Sequence, residues 1–326
     1  MRHIVTAGIS LAVLAALCLT PSLLGDRVGA ALDGLDAASP GMLWVAGIIF
    51  ACTSVCGALA WRSALRACGT TLPFTDAAAR YAIGCGINAV APAHLGSAVR
   101  LALFGRVTTG GCWTVGGASA AVGVTRMTWL GGLVALASAW GVLPMWPLLV
   151  IATIVAGAAT LALVSKRLRL PRRLEQILTA FQALASSPRD LATVASWTLL
   201  GALAKVGASA AVIASFGIDH PIRAALILVP AVELATLMPL TPGNVGVGSA
   251  AVAFALGAHG VPADTALAVG IAFGAVELLT AVGVGVAGGL ALAGPKCRPY
   301  VRLSVVGVAS LGRAWAFGAT VLMPAI

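Results

Sequence analysis

Long apolar stretches alternate with short polar ones along almost the whole chain. A helix crossing a bilayer needs about 20 mostly apolar residues. Six uninterrupted stretches meet that requirement, at residues 4–24, 41–61, 113–141, 144–164, 191–216 and 265–293. Two further stretches, 81–107 and 222–256, are as apolar but are interrupted. The first contains Pro92 and Gly96; the second contains Pro230, Pro239, Pro242, Gly243, Gly246 and Gly248. Proline removes a helical hydrogen bond and clashes with the preceding turn, so each stretch reads as a broken helix pair or a re-entrant hairpin. The tail, 301–326, is apolar but holds Arg302 and Arg313, and reads as a last span or an interfacial helix. Residues 4–24 have a basic start and a small-residue stretch at Val28-Gly29-Ala30, the pattern of a cleavable signal peptide. A retained helix is the preferred reading, because the rest of the chain is polytopic. The pattern therefore predicts an all-α polytopic membrane protein with about 6–8 transmembrane helices. A single transmembrane domain is expected over residues 1–293, followed by the tail at 294–326.

Composition supports this picture. Hydrophobic residues make up 60% of the chain and charged residues only 9%, against about 25% charged in an ordinary soluble domain. The formal net charge is +10, which in a soluble chain would suggest nucleic acid. Here the charges sort by loop instead. With the N-terminus inside and both broken segments re-entrant, the inner loops hold 14 basic residues against Asp76, Glu175 and Asp190. That inner set includes Arg62, Arg66, Arg80, Arg106, Arg189 and the basic run at 166–173. The outer loops hold Arg27 and Arg223 against five aspartates. This is a positive-inside bias, so the excess charge reports topology and no nucleic-acid partner is expected. The seven cysteines form no CxxC pair and the four histidines show no HExxH spacing. No metal and no cofactor is expected.

The two interrupted stretches share a local pattern. Pro92-Ala93-His94-Leu95-Gly96 and Pro242-Gly243-Asn244-Val245-Gly246 are both P-x-x-x-G, 150 residues apart. The same shift carries 41–61 onto the start of 191–216, and 113–141 onto 265–293. A unit of span, broken segment and span thus occurs twice, at about 41–141 and 191–293. The crossing at 144–164 turns the second unit upside down. This predicts an inverted repeat, as in many transporters whose substrate sites lie where broken helices meet. Broken backbone in a membrane must be enclosed by protein or line a wet cavity. There its freed N–H and C=O groups can hold polar ligand groups.

Charges inside spans are functional candidates by default. They are Arg100, Arg126, Lys205, Glu233 and Glu277. They either pair across the bundle or hold an anionic headgroup, with carboxylates orienting the cations. Arg100 is favoured as a ligand contact because it adjoins the first break. Lys205 either faces inward or snorkels to an interface. Asn88 and Asn244 stand where they can satisfy freed backbone groups. His94 is either a headgroup contact or a polar tip residue. The predicted substrate-contacting set is Asn88, Pro92, His94, Gly96, Arg100, Arg126, Lys205, Glu233, Pro242, Gly243, Asn244, Gly246 and Glu277, with no catalytic residue. On the last span, Gly270/Gly274 and Gly285/Gly289 give GxxxG spacings that predict close helix packing.

These residues resemble a known family. Phe74-Thr75-Asp76-Ala77-Ala78-Ala79-Arg80, then Asn88, Pro92, Gly96 and Arg100, resemble the first motif of the lysylphosphatidylglycerol synthase transmembrane (flippase-like) family. Met238-Pro239-Leu240-Thr241-Pro242-Gly243-Asn244-Val245-Gly246-Val247 resembles its second motif. The resemblance runs from about residue 40 to 293. It implies a multi-pass protein of the bacterial cell (inner) membrane, N-terminus cytoplasmic, handling a membrane lipid or polyprenyl-linked substrate. Envelope-synthesis enzymes and a second copy of the chain are the partners it suggests. The chain departs from the family pattern at His94 (usually Arg), at Ser97, Ser249 and Thr125 (usually acidic), and, to a smaller degree, at Asn244 (usually Gly). The lost acids weaken any coupling to protons or cations. The chain has no room for the soluble synthase domain that some members carry, so lysine transfer is not expected. The leading expectation is a flippase for a lipid or a lipid-linked glycan precursor, with an anionic headgroup held between the two hairpins. The alternatives are a membrane-embedded lipid-modifying enzyme and a non-transporting scaffold for envelope lipid synthesis.

Overall fold

The structure is a computed structural model. It describes residues 35, 38–91, 95–140, 172–235, 245–258 and 260–293, with scattered positions between 149 and 160. The first predicted span, the crossing at 144–164 (beyond those scattered positions) and the tail lie outside the described residues. Among the described residues the secondary structure is helical. In chain order the helices are α1 (Pro40–Ala67), α2 (Phe74–Val90), α3 (Leu95–Gly105), α4 (Gly111–Ala139), α5 (Arg172–Ser186), α6 (Pro188–Ser215), α7 (Pro221–Ala235), α8 (Val245–Gly257) and α9 (Ala263–Ala293). Four of them, α1, α4, α6 and α9, are long and apolar enough to cross a membrane. At about 1.5 Å per residue each exceeds the roughly 30 Å hydrocarbon core.

Both interrupted stretches are pairs of short helices. In the first, α2 stops at Val90 and α3 starts at Leu95, so Gly96 belongs to the helix after the break. In the second, α7 runs unbroken through Pro230, which the sequence reading had counted among the breakers. Pro230 is tolerated because Leu226, Ile227, Leu228, Val229 and Val232 bury that helix among its neighbours, which can re-satisfy the freed carbonyl. In the second stretch the described helices are α7, to Ala235, and α8, from Val245, and Gly246 and Gly248 lie inside α8. The stretch before α6, which carries no span-like pattern, holds α5. This helix docks on α4 through the buried Ala180 and Leu184.

The helix pairings come in matching sets. α1 packs on α2 as α6 packs on α7, α2 on α3 as α7 on α8, and α3 on α4 as α8 on α9. α9 also packs on α1 and α2, just as α4 packs on α6 and α7, while α1 against α6 is its own counterpart. Two apolar cores result. One gathers Phe50, Val212, Leu228, Leu256 and Phe273 around α7 and α8. The other gathers Trp61, Leu65, Phe104, Val115 and Leu184 around α2 and α3. The first uses the N-terminal half of α1 and the second its C-terminal half. The two hairpins therefore sit at opposite ends of the long helices.

The α2–α3 hairpin is tied at both ends. Arg80 is 5% exposed. Its guanidinium donates to both Asp76 carboxylate oxygens at 3.0 and 3.1 Å and to the Leu103 carbonyl at 2.7 Å. The last contact satisfies one of the free carbonyls at the C-terminus of α3. Asp76 and Arg80 are thus helix residues that join α2 to α3, not the loop charges assumed in the topology count. At the break, the Ser97 N–H donates to Asn88 Oδ1 at 3.2 Å, and Asn88 Nδ2 donates to Ser97 Oγ at 3.3 Å. Between these ties the limbs touch at Gly84 and Gly96. A Cβ on Gly96 would strike the Gly84 carbonyl and the Asn88 amide.

Helix α9 holds both hairpins through glycine. Gly270 lies against the Ser249 carbonyl of α8, and a Cβ on Gly285 would strike Gly86 of α2. A Cβ on Gly288 would come 2.8 Å from the Ala79 carbonyl, whereas one on Gly289 would meet nothing within 4 Å. The working pair is therefore Gly285 and Gly288, a spacing of three that the GxxxG pattern misses. Replacing Gly285 by leucine should force α9 off α2 at a cost of about 1–3 kcal/mol, typical of overpacking. Gly289→Leu should be near neutral. Thermal unfolding of the purified variants, followed by size-exclusion chromatography, checks this; equal melting of the two variants would contradict it.

Candidate functional site

The short helices leave the middle of the bundle uncovered. α3 and α8 have 11 and 13 residues, or roughly 16–20 Å at 1.5 Å per residue, too little to span. Between the two hairpins a cavity of about 540 Å³ opens. The long helices line it with their middle turns, and each short helix pair contributes to its wall. All five predicted intramembrane charges reach this cavity: Arg100 from α3, Arg126 from α4, Lys205 from α6, Glu233 from α7 and Glu277 from α9.

Four of the five form one chain of alternating charge. Arg126 Nη2 donates to both Glu233 carboxylate oxygens at 2.7 Å. Lys205 Nζ donates to Glu233 Oε1 at 2.9 Å and lies 3.3 Å from Glu277 Oε1. Lys205 faces inward, with its side chain 15% exposed, and does not snorkel. The interior of the chain is the buried part: the Glu233 side chain is 11% exposed, while Arg126 and Glu277 at its ends are 56% and 40% exposed. Removing charges from water is costly unless each is paired and hydrogen-bonded. Here two cations and two carboxylates cancel. Arg126 comes from the first helix set and the other three from the second, so the Arg126–Glu233 contact joins the two sets.

Arg100 stands apart. Among the described residues it forms no ion pair. Its Nε is buried with no hydrogen-bond partner. Its Nη2 lies 3.8 Å from Cys85 Sγ, a weak acceptor. The guanidinium carbon sits 4.2 Å from the centre of the Tyr81 ring and 5.5 Å from that of Trp61. Such cation–π contacts supply about 0.5–2 kcal/mol, while an arginine at mid-membrane costs at least about 2.5–3.5 kcal/mol. The rings position Arg100 without neutralising it. The site can therefore accept an anion.

The remaining predicted residues divide by location. Asn88 and Gly96 build the break, as described above, and Asn88 also borders the cavity. Gly246 lies in the first turn of α8. Pro92, His94, Pro242, Gly243 and Asn244 lie outside the described residues. Ser97 and Ser249, at positions where the family pattern has acids, both reach the cavity wall, so that wall lacks two negative charges. The sequence reading missed Tyr81, Trp61 and Cys85, which hold Arg100. Tyr81 is one of only two tyrosines in the chain, and its hydroxyl faces Gly57, where a Cβ would strike it. A lone tyrosine in an Ala/Gly-rich helix was the available signal.

No curated protein matches the chain. A family does: the one described as the lysylphosphatidylglycerol synthase TM region matches residues 5–285 of the 326. Within that stretch the described residues include four helices long and apolar enough to cross a membrane. The chain is a multi-pass membrane protein, and it belongs to the lysylphosphatidylglycerol synthase transmembrane-region family, whose name ties it to the handling of lipid.

Proposed function

We propose that the protein is a flippase-type transporter for a lipid or a lipid-linked precursor. An anionic headgroup enters the cavity between the two hairpins and meets Arg100, while the acyl chains stay in the bilayer. The observation that carries this reading is an arginine held by ring faces, with a buried, unpartnered Nε, in a cavity whose other charges cancel. The cavity volume of about 540 Å³ lies in the usual range of roughly 300–1,000 Å³ for ligand sites.

The matched helix pairings support an inverted repeat, with α1–α4 and α6–α9 as its two copies. In that design one copy rocks against the other around a fixed site. The Arg126–Glu233 contact joins the copies and is the natural latch between them. The arginines support an orientation. Arg62, Arg66, Arg106 and Arg189 gather at the end where α2 and α3 join the long helices. The positive-inside rule makes that end cytoplasmic, in the bacterial inner membrane. Envelope-synthesis enzymes or a second copy of the chain are partners consistent with this role.

Arg100→Ala should slow headgroup translocation by roughly tenfold or more, the size of one lost charge-assisted hydrogen bond. A dithionite-quench assay with tail-labelled anionic lipid in proteoliposomes reads this directly. Wild-type rates from a normally folded variant would defeat the proposal. Glu233→Gln leaves both Arg126 and Lys205 without their shared partner and should cost on the order of 3 kcal/mol in stability. Glu277→Gln, at the exposed end of the chain, should cost much less. Melting temperatures in detergent rank the two, and the reverse order would contradict the charge chain.

A further inference from the structure

We propose a second anion site, for a single phosphate group, at the C-terminal end of α1. It lies outside the cavity between the hairpins and does not depend on what that cavity takes. Arg62, Ser63, Arg66, Thr71 and Leu72 line a separate pocket of about 60 Å³ there. A water needs about 10–15 Å³ of such space. The pocket therefore has room for roughly four to six waters, which suits one tetrahedral oxyanion. Arg62 and Arg66 stand four residues apart on one helix, where like charges face each other and repel. Each is held by a partner that leaves part of its guanidinium over. Arg62 Nε donates to the Leu72 carbonyl at 2.8 Å. Arg66 donates through Nε and Nη2 to Asp190 Oδ1 at 3.1 and 2.6 Å. The Leu72 carbonyl is neutral, and the nearby Asp76 is paired with Arg80. Among the described residues two cations thus stand here against the one carboxylate of Asp190, and an anion between the arginines removes their repulsion.

The hydroxyls of the pocket point the same way. Serine and threonine inside a helix often donate back to a carbonyl of the preceding turn, as Thr53, Thr198, Ser209 and Ser215 do. Ser63 does not. It is 7% exposed, lines the pocket, and forms no hydrogen bond among the described residues. A buried hydroxyl left without an acceptor is costly, and a phosphate oxygen supplies one. Thr70 Oγ1, in the residue before Thr71, is likewise buried without a partner. Helix α2 begins two residues after Leu72 and has no side-chain cap, so its first-turn N–H groups also favour an anion. Guanidinium, hydroxyl and amide donors together select an oxyanion over a cation, and the guanidinium fork matches phosphate oxygens. Arg62 directly follows the apolar run at 41–61, so the pocket sits where hydrocarbon gives way to water. Both a lipid phosphate and a dissolved phosphate reach that level. Once bound, the group fastens α1 to the turn that launches the first hairpin, beside the Arg66–Asp190 contact that fastens α1 to α6.

The test uses the purified full chain, stripped of lipid in a phosphate-free sugar detergent. Melting is followed by tryptophan fluorescence while inorganic phosphate, or dihexanoyl phosphatidylglycerol below its micelle concentration, is titrated in. Sodium chloride at matched ionic strength is the blank. At least one of the two should raise the melting temperature by a few degrees along a saturating curve that the chloride does not reproduce. Tighter action of the short-chain lipid identifies a lipid as the source of the group; tighter action of inorganic phosphate identifies the dissolved ion. Arg62→Gln should weaken the half-saturation point roughly tenfold, as one lost charge-assisted hydrogen bond does. Ser63→Ala should weaken it a few-fold and leaves Arg62 on Leu72, so it serves if Arg62→Gln does not fold. Arg189→Gln, an exposed arginine at the start of α6, should leave the curve unchanged. A curve no different from chloride for both probes overturns the inference. So does a shift that survives both pocket variants, or one that Arg189→Gln lowers equally, because it then reports the positive surface and not the pocket. Arg100→Gln separates this site from the cavity: a lipid shift lost there and kept in Arg62→Gln and Ser63→Ala supports the headgroup reading and defeats the second site.

Discussion

A backbone that leaves the helix inside a bilayer must have its freed N–H and C=O groups taken up by protein or enclosed water. Much of this structure follows from meeting that demand. At the first break, Asn88 lends its side-chain oxygen to the Ser97 amide. At the other end of α3, Arg80 donates to the Leu103 carbonyl, and Asp76 balances its charge. The glycines at 84 and 96 let the limbs close so tightly that no lipid can reach the backbone between them. Because α3 and α8 are then too short to cross, the centre of the bundle is left hollow. The cavity is thus a by-product of the same constraint that shapes the hairpins.

The cavity divides its charges into two kinds. Arg126, Glu233, Lys205 and Glu277 neutralise one another across three helices of one set and one of the other. They define how the sets sit together. Arg100 is left out of that chain and is held by Tyr81 and Trp61 instead. Where the family pattern would place acids, Ser97 and Ser249 keep the wall free of further negative charge. Two carboxylates there would take the wall from net positive to net negative. The identity of these two serines therefore sets the sign of the field inside the cavity.

Much of the fold was legible because membrane spans announce themselves by length and apolarity. The helices at Pro40–Ala67, Gly111–Ala139, Pro188–Ser215 and Ala263–Ala293 lie where runs of apolar residues predicted them. The first break was legible from Pro92 and Gly96 to within a few residues. Pro230 was not, because whether a proline interrupts a membrane helix depends on neighbours that the sequence does not show. The five charges within the apolar stretches were legible as a set, since each is conspicuous there. Their pairing was not, because it depends on the rotation of five helices about their axes. Arg80 shows the same limit: near a predicted span end it looks like a loop charge, and only the returning α3 reveals its acceptor. Tyr81 and Trp61 were invisible as site residues because aromatic side chains at span ends usually mark the interface.

Helix α9 lies directly against α8 at Gly270 and against α2 at Gly285 and Gly288. These contact points are about 22 Å apart at 1.5 Å per residue, with Glu277 roughly midway. Backbone resting on backbone has no side chain between to act as a cushion. A helix of this length is stiff, so the two hairpins are geared to each other through a single rod. Displacing one must displace the other, with the carboxylate at the middle of the rod moving as well. In the transport role proposed above, such gearing opposes both ends of the hollow standing open together, the difference between passing a chosen molecule and leaking ions.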